Sequence, residues 1–177
     1  MASATRDILP PAIGSDELKR RQSELAENTA PTVFNVAGQL LARGRTDTPL
    51  AATEDLSIRL KIYAEGGENE LHAHPGEDHS FIVLQGQVRF FDPDGEETVL
   101  GANQGIMLPR GNMYWFTAIE REPLVMLRIG SPNYQKLPEI DRTDADGNPM
   151  RGDSKKNKSV PIEFLEGKFD GGRANRE

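Results

Sequence analysis

One stretch of the chain decides how the rest is interpreted: residues 66–86 read GGENELHAHPGEDHSFIVLQG. The stretch opens on two glycines, has Pro75 and Gly76 in its middle and ends in Gly86, and these residue types are typical of chain reversals. Between the turns, apolar and polar residues alternate in short runs, as they do in strands that bury one face. The stretch therefore predicts short strands joined by tight turns.

The same alternation continues on both sides of this stretch, from residue 54 to residue 130. Each run is short, and each is followed by Gly, Pro, Asp or another turn-forming residue. About eight such runs at this spacing predict an antiparallel sandwich or barrel. The runs cover residues 57–63, 70–74, 79–84, 87–91, 97–100, 105–108, 113–118 and 124–129.

Length and composition exclude several classes of protein. A chain of 177 residues with 36% apolar residues can bury the core of one domain and carry extensions. With no cysteine, it has no disulfide, no thiolate nucleophile and no Cys-ligated metal. The net charge of −7 argues against nucleic acids and anionic membranes as partners. The first residues, MASATRDILPPAIG, do not resemble a secretory signal, so the expected location is the cytoplasm.

The negative charge is concentrated in the middle of the chain. Residues 51–130 contain six Lys and Arg against thirteen Asp and Glu, whereas the flanking segments are balanced. Acidic loops at the surface are one explanation of this excess. The other is an electrostatic field that favours a bound cation.

All three histidines of the chain, His72, His74 and His79, fall within eight residues. Side chains on a strand alternate between its faces, so the first two histidines share a face. The turn after them places the third at the start of the next strand, where hairpin pairing can bring it opposite the first pair. Imidazole binds Zn, Cu, Fe and Ni, and three imidazoles leave coordination positions open. The cluster predicts a metal site, with a surface cluster on an edge hairpin as the alternative.

The spacing around these histidines resembles the first motif of the cupins, G-x5-H-x-H-x3,4-E-x6-G. His72, His74 and Gly86 match this motif, and His79 stands where the cupins have Glu. Residues 105–118, GIMLPRGNMYWFTA, resemble the second motif, G-x5-P-x-G-x2-H-x3-N, with a shorter gap before Pro109. In that motif Tyr114 stands at the position of the family's histidine, and Ala118 at that of the asparagine.

The resemblance covers about 75 residues and implies an all-β fold, the cupin-type double-stranded β-helix (jelly-roll) barrel, here with N- and C-terminal extensions. Such barrels are often dimeric and hold a metal ion inside. The resemblance implies that His72 and His74 are metal ligands. It implies the same of His79 and Tyr114 by position only, since their residue types differ from those of the family.

These two departures change the implied ligand set from three imidazoles and a carboxylate to three imidazoles and a phenol. A protonated Tyr114 leaves a dication its full charge as a Lewis acid, whereas a ferric ion favours the phenolate. We expect a divalent or trivalent transition metal, iron first, with zinc, nickel, copper and manganese as alternatives. Aromatic packing is the alternative role of Tyr114, and hydrogen bonding to a ligand that of His79.

Four charged residues near these motifs each have two interpretations. Glu77 and Asp78 are either solvated loop acids or alternative carboxylate partners of the site. Arg59 and Arg128 alternate with apolar residues, so each forms either the solvent face of its strand or a polar group inside the barrel. Inside, a guanidinium can bind a substrate carboxylate with two hydrogen bonds. On that interpretation Arg59 is a candidate catalytic residue, together with Tyr114.

The chain divides into an N-terminal arm (residues 1–50), a barrel (51–130) and a partly irregular C-terminal extension (131–177). In the N-terminal arm, the sequence predicts a helix over Asp16–Glu27 and a strand over Thr32–Val36.

Within the extension, Asp141–Lys158 has almost no apolar residues and predicts a surface loop or a segment that orders against a partner chain. The segment Val160–Phe169 has enough apolar residues to dock on another surface. We expect a homodimer, with Thr32–Val36 or Val160–Phe169 contributing to the contact.

Three functions are compatible with these features. The first is a metal-dependent enzyme, with dioxygenase chemistry on a small organic substrate ahead of isomerase, lyase and decarboxylase chemistry. The second is a module that binds or senses a small ligand without catalysis. The third is a structural oligomer whose pocket has lost its use.

Overall fold

The structure of the protein, a computed structural model, describes residues 8–119, 122–132 and 142–171. In this part of the chain, no helix combines the length and the apolar character that a membrane span requires. The described elements are α1 (Gly14–Ala26), β1 (Gly38–Arg43), β2 (Arg45–Ala52), β3 (Ser57–Tyr63), β4 (His72–Ala73), β5 (Glu77–Gln85), β6 (Gln87–Phe91), β7 (Glu97–Gly101), β8 (Gly105–Leu108), β9 (Trp115–Ala118), β10 (Leu124–Pro132), β11 (Thr143–Asp144), a 3₁₀ turn (Lys155–Asn157) and β12 (Glu163–Asp170).

Two antiparallel sheets face each other and form a barrel. The larger has five strands in the order β2-β3-β10-β5-β8, and the smaller has three in the order β7-β6-β9. Because both sheets turn aromatic and aliphatic side chains inward, the space between them is a packed core. The all-β barrel predicted from the sequence is confirmed. Its core residues are Tyr63, Phe81, Val83, Val88, Phe90, Leu100, Tyr114, Phe116, Leu124 and Met126.

The outer face of the five-stranded sheet is also covered. Leu60 and Ile62 of β3 and Val125 of β10 are buried there in a second apolar cluster, against Phe34 and Val36 of the N-terminal arm. Since alternate side chains point to opposite faces, the polar residues between them must face the barrel interior. On β3 the apolar residues Leu60 and Ile62 therefore mark the outside of the barrel, so that Arg59 and Lys61 line the inside. On β10 both faces are apolar, and Arg128 is the charged residue on the inner face.

Gly86 lies at the turn between β5 and β6, and its conformation explains why the first motif ends in glycine. Its φ of +77° lies in the left-handed region, and a Cβ there would lie 3.1 Å from the carbonyl oxygen of Pro123. Glycine occupies such a conformation without steric cost. The residue thus fixes the turn that joins the two sheets.

The N-terminal arm differs from its prediction. The helix α1 begins two residues earlier than expected, and the strand predicted over Thr32–Val36 is wrong: those residues form no regular element. The strand of this region is β1, which pairs antiparallel with β12 near the other end of the chain. Pairing over such a sequence distance leaves no local signal. The next strand, Arg45–Ala52, pairs with β3, so the five-stranded sheet begins before residue 51.

The surface loop predicted over Asp141–Lys158 is correct for much of its described part, residues 142–158, because most of these residues are exposed, but the segment is not wholly irregular. There β11 pairs with β4, and Asp144, Met150 and Asn157 are each at most 5% exposed. A segment with few apolar residues is held against the barrel here because polar groups satisfy one another: Arg45 donates to the carbonyl oxygens of Gly152 and Asn157. The segment orders against the barrel of its own chain.

Candidate metal centre

The three histidines meet inside the barrel. The ring centroids of His72 and His74 are 5.1 Å apart, and those of His74 and His79 are 4.2 Å apart. All three side chains are at most 5% exposed. The surface cluster considered as an alternative is therefore wrong, and the rings converge on one interior region.

His72 presents a free lone pair to this region. Its Nδ1 lies 2.7 Å from the carbonyl oxygen of Glu70, and since that oxygen only accepts, Nδ1 carries the proton. Nε2 is then deprotonated, and among the described residues this buried atom has no hydrogen-bond partner. A histidine that binds a metal ion usually donates one ring N–H to an oxygen such as a backbone carbonyl and keeps the lone pair of the other nitrogen for the metal.

The electrostatics of the cluster keep the imidazoles neutral. Burial lowers the pKa of His72 and His74 well below the ordinary value, and lowers that of His79 to about 4. The guanidiniums of Arg128 and Arg142 add to the effect by repelling a second positive charge. Neutral imidazole is the form that coordinates a metal ion, so the three side chains are ready to bind at neutral pH.

Glu77 belongs to the same group. It lies two residues before His79 on β5 and therefore on the same inner face, and its Oε2 is 3.2 Å from the Nε2 of that histidine. Burial alone would raise the pKa of Glu77, but Arg128 and His79 outweigh it and hold the pKa below its usual range. Donor atoms of His74, Glu77 and His79 all lie within 4.8 Å of one another, a group that can hold a metal ion.

The interpretation of Glu77 as a solvated loop acid is therefore wrong, whereas its neighbour Asp78 does face outward. Asp78 forms an ion pair with Arg110 at the surface, where both side chains are more than one third exposed. The strand parity shared by Glu77 and His79 is the signal in the sequence that separates the two acids.

Arg128 competes for the donor atoms of this group. Its Nη2 lies 2.7 Å from Glu77 Oε2 and 2.7 Å from His79 Nε2, and Nη1 lies 2.9 Å from Glu77 Oε1. The side chain is only 3% exposed, so this charge is held inside the barrel. The guanidinium neutralises Glu77 and, through the same contacts, opposes a second cation at these atoms.

Tyr114 lies beside the histidines as a protonated phenol. Its hydroxyl is 3.3 Å from the Nδ1 of His79, and its ring centroid is 4.4 Å from that of His72. Reciprocal backbone hydrogen bonds with His72, of 2.9 and 3.1 Å, hold the two residues side by side. Burial raises the pKa of Tyr114 above its ordinary value, although Arg128 and Arg142 act in the opposite direction.

Arg59 also points into the barrel. The residue is 8% exposed, and its Nη1 lies 3.2 Å from Asp47 Oδ2. The solvent-facing interpretation of Arg59 and Arg128 is therefore wrong. The reason is the second apolar cluster, which takes the aliphatic neighbours of both residues to the outside of the sheet.

A cavity of about 590 Å³ opens next to this group. Helix α1 forms one wall, and the inner faces of β2, β3 and β10 form the other. His74 and Glu77 lie on its lining, so a molecule in the cavity has direct access to the candidate metal ligands. This volume is ordinary for a small-molecule site.

The residues present fit a transition metal ion. Two neutral imidazoles and one carboxylate, from His74, His79 and Glu77, are brought together, and the neighbouring imidazole of His72 has a buried nitrogen without a partner among the described residues. Imidazole and carboxylate donors suit iron, manganese, nickel, copper and zinc. Where the cupin motif has glutamate this chain has His79, and the carboxylate comes instead from Glu77, two residues earlier on the same face of the strand.

Comparison with known proteins agrees with this geometry. Residues 59–130 match the family model of the cupin domain. The uncharacterized protein YdbB of Bacillus subtilis (strain 168) is 34% identical over 65 residues, which cover 37% of this chain and 56% of that protein. The chain thus spans about half the length of this curated relative.

Among solved structures, an uncharacterized conserved protein with a double-stranded β-helix domain from Klebsiella pneumoniae has a TM-score of 0.50 at 18% identity, covering 58% of this chain and 80% of its own. The cupin domain of Schizosaccharomyces pombe Cnp3 has a TM-score of 0.49 at 17% identity, covering 55% and 72%. The first of these similarities supports the fold alone. With the barrel, the two motifs and the family match agreeing, residues 59–130 are a cupin domain.

Proposed function

We propose that this protein is a metal-dependent enzyme that acts on a small organic molecule inside the barrel. The observation that carries the proposal is the Nε2 of buried His72, which has no hydrogen-bond partner in the described part of the chain and lies beside the group formed by His74, Glu77 and His79, next to a cavity of substrate size. These four residues are the proposed metal ligands. A redox-active ion at this site would supply the activation of dioxygen, and dioxygenase-like chemistry is accordingly the reaction we propose first.

The protein's own residues have distinct parts in this proposal. The carbonyl of Glu70 holds the imidazole of His72 in the tautomer that binds, and Arg128 fixes the carboxylate of Glu77 with two hydrogen bonds. The aromatic rings of Phe81, Phe90 and Phe116 surround Tyr114 and exclude water from that side of the site. A reactive species formed in the cavity is thereby shielded from solvent.

Tyr114 has the part of proton holder at the site. Its phenol is protonated and lies within hydrogen-bond reach of His79, so it can donate to an oxygen that gains negative charge during the reaction. The sequence also predicts Tyr114 as a metal ligand, and the Tyr114→Phe variant distinguishes that role from the role of proton donor. If the hydroxyl serves only as a proton donor, the variant keeps its metal and loses turnover.

The first experiment is metal analysis by mass spectrometry of protein produced without a histidine tag. We expect about one transition metal ion per chain, because the donor set is complete within one barrel. Iron or copper would support the dioxygenase proposal, and oxygen consumption with a panel of small organic substrates would then follow. Zinc as the only metal found would contradict it, and protein that binds none of these metals on titration would contradict the enzyme as a whole.

A ligand-binding module without catalysis is the second candidate, and the position of Arg128 favours it. In the structure the guanidinium lies 2.7 Å from Glu77 Oε2 and 2.7 Å from His79 Nε2, the same donor atoms that a metal ion would need. A module of this kind binds its ligand equally well with and without metal. Calorimetric titration of metal-free and metal-loaded protein therefore distinguishes the two functions.

We also propose that the protein is a homodimer. Ile162 and Phe164 at the start of β12 are 42% and 44% exposed, and Val33 of the N-terminal arm is 71% exposed, so both predicted contact segments present apolar side chains to solvent. Association would remove this surface from water. Light scattering at micromolar concentration is expected to give twice the chain mass of 19.6 kDa, and a monomer would contradict the proposal.

A further inference from the structure

The interior of the cavity is unusually rich in cations. Among the described residues, its barrel side carries two carboxylates, Asp47 and Glu77, against the four guanidiniums of Arg45, Arg59, Arg128 and Arg142 and the amine of Lys61. Burial lowers the pKa of Lys61 to about 7, so this amine is only partly charged at neutral pH. The exposed rim has the opposite balance, with Glu27, Glu54 and Asp153 against Lys19. A barrel in an acidic protein that keeps its buried charges positive is suited to a negatively charged guest.

Most of these cations already have partners in the protein. Arg45 donates to the carbonyl oxygens of Gly67 and Glu68 as well as to those of the C-terminal extension, so it holds the structure together. Arg128 is held by Glu77 through two hydrogen bonds. The remaining buried cations of the sheet therefore decide what the cavity can bind.

Arg59 is the incompletely satisfied cation of the group. It shares Asp47 with Lys61, whose Nζ lies closer, at 2.6 Å from Asp47 Oδ2 against 3.2 Å for Arg59 Nη1. Its Nε is buried and has no hydrogen-bond partner among the described residues. A buried guanidinium donor without an acceptor is costly, and a carboxylate in the cavity would remove that cost.

The position of Arg59 adds a second cost that an anion would relieve. Arg59 on β3 and Arg128 on β10 are direct cross-strand partners on the inner face of the sheet. Like charges in this arrangement repel each other. Because Arg128 in turn contacts Glu77 and His79, a molecule anchored at Arg59 lies one residue away from the candidate metal ligands.

We propose that the cavity binds small organic carboxylates, with the carboxylate held by Arg59 and the rest of the molecule extending under α1 toward His74. A planar carboxylate matches the fork of a guanidinium better than a point charge does. The inference names the substrate class of the proposed enzyme, and it rests on the proposed function only for the reaction at the other end of the molecule.

The test is a calorimetric titration of metal-free protein, prepared by dialysis against a chelator, with two acid and amide pairs. Benzoate is compared with benzamide, and lactate with lactamide, because each pair differs in charge but hardly in shape. We expect at least one acid to bind, and its amide to bind at least about tenfold more weakly. Inorganic phosphate is the third probe and is expected to bind more weakly than that acid.

Variants assign the effect to its residue. Arg59→Met is expected to weaken binding of the acid at least about tenfold, and Arg59→Lys, which keeps the charge but loses the fork, to give an intermediate loss. In Arg59→Met, the carboxylate of Asp47 remains paired with Lys61, so the melting temperature of this variant is expected not to fall. Arg89→Met is the matched control, because Arg89 pairs with Glu97 on a half-exposed surface and lies outside the cavity.

Several results would overturn the inference. These are binding of neither acid at concentrations up to about 10 mM, equal binding of acid and amide, tighter binding of phosphate, or unchanged affinity in Arg59→Met. Since the titration uses metal-free protein, it is independent of the metal analysis. A chain that binds the acid through Arg59 but binds no metal would sustain this inference and contradict the proposed enzyme.

Discussion

A His74→Ala variant is expected to lose stoichiometric binding of a transition metal, with an affinity reduced by more than about 100-fold. Loss of a residue that merely orients a ligand costs roughly 10- to 100-fold in metal affinity, and loss of a ligand itself costs more. His74 is central to the group, since its ring lies 4.2 Å from that of His79 and 5.1 Å from that of His72. The fold is expected to survive, because the buried imidazole is neutral and no buried charge loses its counterion.

Metal titration followed by mass spectrometry measures this loss, and circular dichroism reports whether the barrel remains folded. The matched control is Asp78→Asn, which removes an acid one residue from Glu77 but on the outer face of β5. That variant is expected to keep the metal affinity of the parent protein. Equal affinities in His74→Ala and Asp78→Asn would show that the ion, if one binds, lies elsewhere.

An Arg45→Met variant is expected to lose about 3 kcal/mol of unfolding free energy. The guanidinium donates to four backbone carbonyl oxygens at 2.5–3.3 Å, two in the loop after β3 and two in the C-terminal extension. Hydrogen bonds to a charged donor are worth more than neutral ones, and the variant leaves these partly buried acceptors without that donor. Water entering the gap offsets part of the loss, so the four contributions do not add in full.

Urea denaturation followed by the fluorescence of Trp115, the only tryptophan of the chain, gives this free energy. Arg89→Met serves again as the control, since an ion pair between half-exposed side chains contributes at most about 1 kcal/mol. If both variants cost the same, the extension is not fastened to the barrel through Arg45. Hydrogen exchange of residues 142–158 would show faster exchange in Arg45→Met if it is.

The barrel and the histidine cluster could be predicted from the sequence because both depend on local patterns. Alternation with a period of two, interrupted by turn residues, identifies short antiparallel strands without any knowledge of their partners. The pair His72 and His74 shares a face by the same period, and the turn at Pro75 and Gly76 brings the next strand back. The hairpin pairing predicted for this turn is nevertheless wrong: β4 pairs with β11 and His72 bridges to Tyr114, while β5 pairs with β10 and β8, so the rings meet inside the barrel without direct pairing of β4 and β5.

The orientation of β3 and β10 could not be predicted in this way. A period of two separates two faces but does not say which one faces the interior. Here the apolar face of Leu60 and Ile62 is buried against the N-terminal arm, and the charged face of Arg59 and Lys61 lines the cavity. Only the position of a distant segment decides between the two orientations.

Two further differences have the same origin. The strand of the N-terminal arm lies at Gly38–Arg43, rather than in the β-branched run before it. The sequence does not reveal this position, because the partner strand β12 lies more than a hundred residues away. The extension from residue 142 is ordered through polar contacts that composition does not reveal. Glu77 is a different case: it shares strand parity with His79, so the sequence alone could have identified it as a member of the site.

The apolar outer wall of the five-stranded sheet bears on how this domain can be handled. Residues 59–130, excised as an independent unit, would leave Leu60, Ile62 and Val125 facing water, although each is at most 2% exposed in the whole chain. A continuous exposed aliphatic surface of this kind favours self-association of the excised domain over a free monomer. The N-terminal arm therefore forms one side of this apolar layer. The smallest unit expected to fold as a monomer extends well beyond the residues that carry the family's motifs.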